Sequence, residues 1–89
     1  MKNIYGIYEE NHGMVGLAVN YQSAIQGLIK EKWLSGDTEL VDEDGNFFTV
    51  EERLGENWLA EIKKWDISTF NSFFDGLFWI GREEIWDFN

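Results

Sequence analysis

The sequence predicts an α+β protein: a small antiparallel sheet of four to five strands with two to three helices packed on one face. Three observations lead there. Stretches of β-branched and aromatic residues alternate with stretches of helical periodicity, in the order strand-strand-helix, twice, then helix-strand. Helix-capping residues stand at the transitions: Asn20, Thr49 with Glu52, and Asp66. No proline or low-complexity stretch interrupts the 89 residues, so residues 1–89 read as a single domain.

Residues 2–8 and 14–19 are rich in Ile, Tyr and Val and read as two strands. Glu9-Glu10-Asn11-His12-Gly13 joins them, with the Asn and Gly a hairpin turn needs. Gly6 and Gly16 inside these strands mark a bulge or close packing. Asn20 caps a helix that runs to Leu34, with Ala24, Ile25, Leu28, Ile29 and Trp33 inward and Gly36 as its stop. Residues 38–41 and 47–49 form a second hairpin around Asp42-Glu43-Asp44-Gly45-Asn46. Thr49 and Glu52 make a capping box for a helix whose inner stripe is Leu54, Trp58, Ile62 and Trp65. Gly55 within it costs about 1 kcal/mol relative to Ala. Asp66 or Ser68 caps a short third helix carrying Phe70, Phe73 and Phe74, which Gly76 ends. Residues 77–80 are apolar on both faces and read as a central strand, and 82–88 alternate beyond Gly81.

A chain of this size buries only about 60–65% of its unfolded surface, and without cysteine it has no disulfide to help. Five Trp, seven Phe and three Tyr compensate with large buried area per residue, and a hydrophobic content of 44% is too high for disorder. The longest uninterrupted apolar run, Leu77-Phe78-Trp79-Ile80, is far too short to span a membrane. No apolar stretch of signal-peptide type stands near the N-terminus, which makes a cytoplasmic location the expectation.

The net charge of −10 is not evenly spread. Residues 37–61 hold nine of the seventeen acids and one base, Arg53, while residues 1–36 are neutral. Such a field repels nucleic acid and anionic membranes and attracts basic protein surfaces. The expected partner is therefore a basic surface of a host protein, with no direct nucleic-acid or membrane contact. The candidate partner-binding residues are Asp37, Glu39, Asp42, Glu43, Asp44, Glu51, Glu52 and Glu56. Glu51 and Glu52 also sit where a helix dipole favours negative charge. Trp86 and Phe88, too near the terminus to bury well, join them as aromatic anchors and as a route to a homodimer.

Catalytic chemistry finds no foothold. A calcium loop started at Asp42 would need Gly at its sixth position and Glu at its twelfth, where Phe47 and Arg53 stand, so the segment reads as a tight turn. His12 is the only histidine, and there is no Cys nucleophile, phosphate-binding Gly loop or Gly-x-Ser-x-Gly elbow. The expectation is a protein that is not an enzyme, with no catalytic residue, metal site or cofactor.

In length, acidity, aromatic richness, lack of Cys and α+β character, the whole chain resembles the short accessory proteins of phages and mobile elements, of the anti-CRISPR and anti-restriction type. It rests on these properties and on no motif. The resemblance implies a non-enzymatic inhibitor or adaptor that binds a host defence or nucleic-acid-handling protein. In that role residues 37–61 would be a nucleic-acid mimic, with carboxylates where phosphates would sit. The alternative takes the aromatics as the lining of a pocket in a small-molecule-sequestering homo-oligomer.

Overall fold

The computed structural model describes residues 2–85 and is α+β. Its elements are β1 (Lys2–Glu9), β2 (Gly13–Ala18), α1 (Tyr21–Lys30), β3 (Glu39–Val41), β4 (Phe47–Thr49), α2 (Val50–Leu54), α3 (Trp58–Lys64), α4 (Ile67–Phe73) and β5 (Phe78–Ile85). The strands divide into a three-stranded antiparallel sheet of order β2-β1-β5 and a separate β3-β4 ribbon. The N-terminal strand is thus the central one. β5 runs through Gly81 without interruption and is an edge strand, where the sequence pointed to a central strand covered on both sides.

Local chemistry explains most boundaries. At the first turn Glu9 accepts hydrogen bonds from the Asn11 amide (2.8 Å) and bonds the His12 ring (2.7 Å), and Gly13 takes a positive φ of 72°. The hydrogen bond to His12 is the main reason the Glu9 carboxyl is held below its usual pKa. The β1–β2 register slips between Ile7 and Tyr8, beside Gly16, so that glycine does mark a bulge. Asn20 caps α1 by accepting from the Ser23 amide at 2.8 Å. That helix stops at Lys30, four residues before Leu34, because Lys32 turns left-handed (φ 63°) and Trp33 and Leu34 both bond back to the Leu28 carbonyl.

The single helix expected after Thr49 is two. The Thr49–Glu52 capping box forms in full, but Gly55 sits at φ 89°, ψ −176°, a backbone region that only glycine occupies at low cost. It ends α2 after five residues, and α3 begins afresh at Trp58. The C-terminal carbonyls of α3 are then satisfied from α1: the Tyr21 hydroxyl donates to Ile62 O (2.6 Å) and the Gln22 amide to Lys63 O (2.5 Å). Burial, with the Asp66 carboxylate adding to it, pushes the Tyr21 hydroxyl well above the usual tyrosine range.

One continuous core lies between the sheet and the helices. Ile7, Ala18, Phe78 and Ile80 from the sheet meet Ala24, Ile25 and Leu28 of α1, Ile62 of α3, and Phe70 and Phe74. Phe70, Phe74 and Phe78 stack in sequence, with ring centroids 4.6 and 5.6 Å apart, and Phe73 carries the aromatic contacts on to Phe48 of the ribbon and to Trp65. Asn71 and Glu9 are the buried polar residues among those described, and Asn71 closes a sheet edge. The Asn71 side chain donates to Ile80 O (2.9 Å) and accepts from Ile80 N (2.7 Å), standing in for a neighbouring strand on the outer edge of β5.

Candidate functional site

The β3-β4 ribbon and the start of α2 form the acidic region. Alternation in the ribbon sends Leu40 and Phe48 inward and leaves Glu39, Val41 and Phe47 outward. Val41 and Phe47 pair across the ribbon and are both exposed, Phe47 by 73% of its surface. The turn that follows is built as a turn. Asp42 accepts from the amides of Asp44 and Asn46, both at 2.9 Å, and Gly45 takes φ 83°. Among the described residues no three His, Asp or Glu side chains are grouped to hold a metal ion.

The predicted acids come together in two groups. The Glu51 amide bonds Gly36 O (2.9 Å) and the Val50 amide bonds Thr38 O (3.0 Å), so the loop holding Asp37 lies against the start of α2. Glu39 pairs with Thr49, whose amide Glu52 accepts at 2.8 Å. Asp37, Glu39, Glu51 and Glu52 therefore crowd one helix start. At the far end of the ribbon, Asp42, Glu43 and Asp44 line a cleft with Arg53 and with Asp75, which follows α4. Arg53, the one base of the region, lies over the Phe48 ring at 3.9 Å from its centroid. Glu56 stands apart, in the corner between α2 and α3. Asp42 is half-buried and the other seven are exposed. Among the described residues no Lys or Arg nitrogen lies within 4.0 Å of any carboxylate; the one contact at ion-pair distance is His12 with Glu9. Trp86 and Phe88 lie outside the described residues.

A second surface is the face of the three-stranded sheet turned away from the helices. Met14, Leu17 and Trp79 project there, Leu17 exposed by 60% and Trp79 by 56%. Gly6 and Gly81 are opposite one another in the β1–β5 ladder. A Cβ on Gly6 would come within 3.0 Å of both Tyr8 and Glu83, and one on Gly81 within 3.0 Å of the Trp79 ring nitrogen. The paired glycines thus let the Tyr8 and Trp79 rings lie across the sheet, with the Tyr8 hydroxyl donating to Glu83. That hydrogen bond is the first cause of a Tyr8 pKa raised above the usual tyrosine range.

Met14, Leu17, Val19, Val41 and Phe47 are exposed apolar residues that sequence reasoning passed over as sites, whereas strand alternation already sends one of Phe78 and Trp79 away from the helices, and it is Trp79. A signal existed for Phe47, since adjacent Phe47 and Phe48 on a strand cannot share a face. No helix of the described residues is long and apolar enough to cross a membrane. Compared with protein-family models, curated proteins and solved structures, the chain matches none.

Proposed function

We propose that the protein is a non-enzymatic inhibitor or adaptor that docks the β3-β4 hairpin, together with the start of α2, on a basic surface of a host protein that handles nucleic acid. The observation behind it is the exposed Val41–Phe47 pair set among exposed carboxylates that no Lys or Arg neutralises among the described residues. An apolar anchor with like charges at both ends of the ribbon matches how charged interfaces divide their labour: the anchor holds, and the charges steer and select. Carboxylates that no Lys or Arg nitrogen of the described residues approaches within 4.0 Å are free to occupy positions that phosphates would take in a basic groove, the role implied by the resemblance to anti-CRISPR and anti-restriction proteins. The aromatic-pocket alternative has less support, since the larger clefts, of about 360–560 Å³, are each lined by at most two aromatic residues, and the hollow beside Tyr8, Phe78 and Trp79, with three, holds about 230 Å³. That is smaller than the usual small-molecule site.

The structure selects the residues to change. Asp42 holds the turn and Glu52 the capping box, so reversing either would damage the fold. Glu43, Asp44 and Glu56 are exposed, and their side chains accept no hydrogen bond among the described residues. Immobilised wild-type protein should retain a host protein that duplex DNA or raised salt releases. The Glu43→Lys/Asp44→Lys/Glu56→Lys variant and Phe47→Ala should each weaken retention about tenfold or more while keeping the native circular dichroism. Retention unchanged in both variants, or insensitive to DNA, would rule the hairpin out as the docking site.

A further inference from the structure

The outer edge of β5 is half closed and half open. Asn71 bonds both backbone groups of Ile80, and the Phe78 amide bonds Phe74 O at 3.0 Å. Backbone groups alternate in direction along an antiparallel strand. Since those of Ile80 point away from β1, those of Arg82 and Glu84 do too, because the β1–β5 register is regular from Lys2–Ile85 to Glu9–Phe78. Among the described residues no group satisfies them. Beside Gly81 and Arg82 the edge faces a cleft, with Ser68 and Ser72 of α4 across it. No proline or bulge blunts this stretch, which leaves a template for strand pairing.

We propose that the occupant of this edge is a second copy of the chain, pairing β5 to β5 antiparallel about a two-fold axis at Glu83 and joining the two sheets into one of six strands. Three observations select this partner and register. Arg82 of one copy falls opposite Glu84 of the other, and the reverse, so both outward-facing pairs are charge-complementary and each exchanges two backbone hydrogen bonds. Shifting the axis to Arg82 would set Arg82 against itself, and shifting it to Glu84 would set Glu84 against itself. The like pair at the axis, Glu83 with Glu83, is drawn aside because Glu83 bonds Tyr8 and leans over Gly6 of β1. None of the acids of residues 37–61 lies in the three-stranded sheet, so the main charge of the chain stands off the contact. This pairing is independent of the acidic docking surface.

Sedimentation equilibrium on the full chain, from roughly 1 µM to 1 mM, reads the prediction directly. The wild type should dimerise within that range. Arg82→Glu and Glu84→Arg should each weaken the dimer by about tenfold or more, since each sets like charges opposite one another twice, and the double exchange should restore it. Amide exchange at Arg82 and Glu84 should slow as concentration rises. A wild type monomeric throughout overturns the proposal. So does a dimer that the single variants leave intact, or one that the double exchange fails to rescue. Both side chains are exposed, and circular dichroism will separate a lost dimer from a lost fold.

Discussion

Replacing Asn71 tests how the edge of the sheet is closed. Asn71→Leu keeps the approximate size of the side chain and removes both hydrogen bonds to Ile80, leaving one buried amide and one buried carbonyl without partners. Each such group costs about 1–3 kcal/mol, and the adjoining cleft admits some water, so the lower part of the range applies: about 2–4 kcal/mol in all. A domain of this length has roughly 4–13 kcal/mol of stability. The loss should appear in urea unfolding as a lower midpoint at unchanged slope, and in thermal unfolding as a fall of about 10–25 °C. Asn71→Asp gives an internal control. At neutral pH its carboxylate accepts from Ile80 N but faces Ile80 O, so it should be at least as unstable as the Leu variant. Protonation supplies the missing donor. The folded-state pKa of that Asp is thereby raised, so the stabilisation is present below the unfolded value near 4 and is lost as pH rises through the folded one. A cost under about 0.5 kcal/mol for Asn71→Leu would mean that water takes over both groups and that Asn71 is incidental to the edge.

Other predictions follow from particular contacts. Gly55→Ala should destabilise by about 1–3 kcal/mol in chemical denaturation, because Ala at φ 89°, ψ −176° is strained; stabilisation instead would show that α2 and α3 readily fuse into one helix. Tyr21→Phe should lower stability at neutral pH by about 1 kcal/mol through loss of the bond to Ile62 O. The Tyr21 pKa is raised in the folded state, so its contribution is whole below the unfolded value near 10 and fades as pH climbs above it. Wild type and variant should therefore converge in stability at alkaline pH; a constant gap between them would refute this assignment. Retention by a basic partner should depend on Phe47 with Glu43, Asp44 and Glu56, and dimerisation on Arg82 with Glu84, so each variant set should leave the other activity intact.

Features set by near neighbours along the chain were legible in the sequence. Asn20, the Thr49–Glu52 box and Asp66 start helices because each cap bonds an amide only three residues away. The turn at Asp42 closes through the side chain of its own first residue, and the concentration of acid in residues 37–61 is a property of composition. Tertiary structure decided what depends on distant partners. A period-two pattern fixes which residues share a face but carries nothing about which strand lies alongside, so it could not show that β1 is central or that β5 is an edge. It equally left open that β3 and β4 form a ribbon of their own, with Phe47 outward. Gly55 has the same helix propensity in either arrangement, and only the packing of α2 and α3 in the fold makes it a corner. Asn71 reads as an ordinary helix residue until β5, nine residues on, returns its Ile80 to the reach of that side chain.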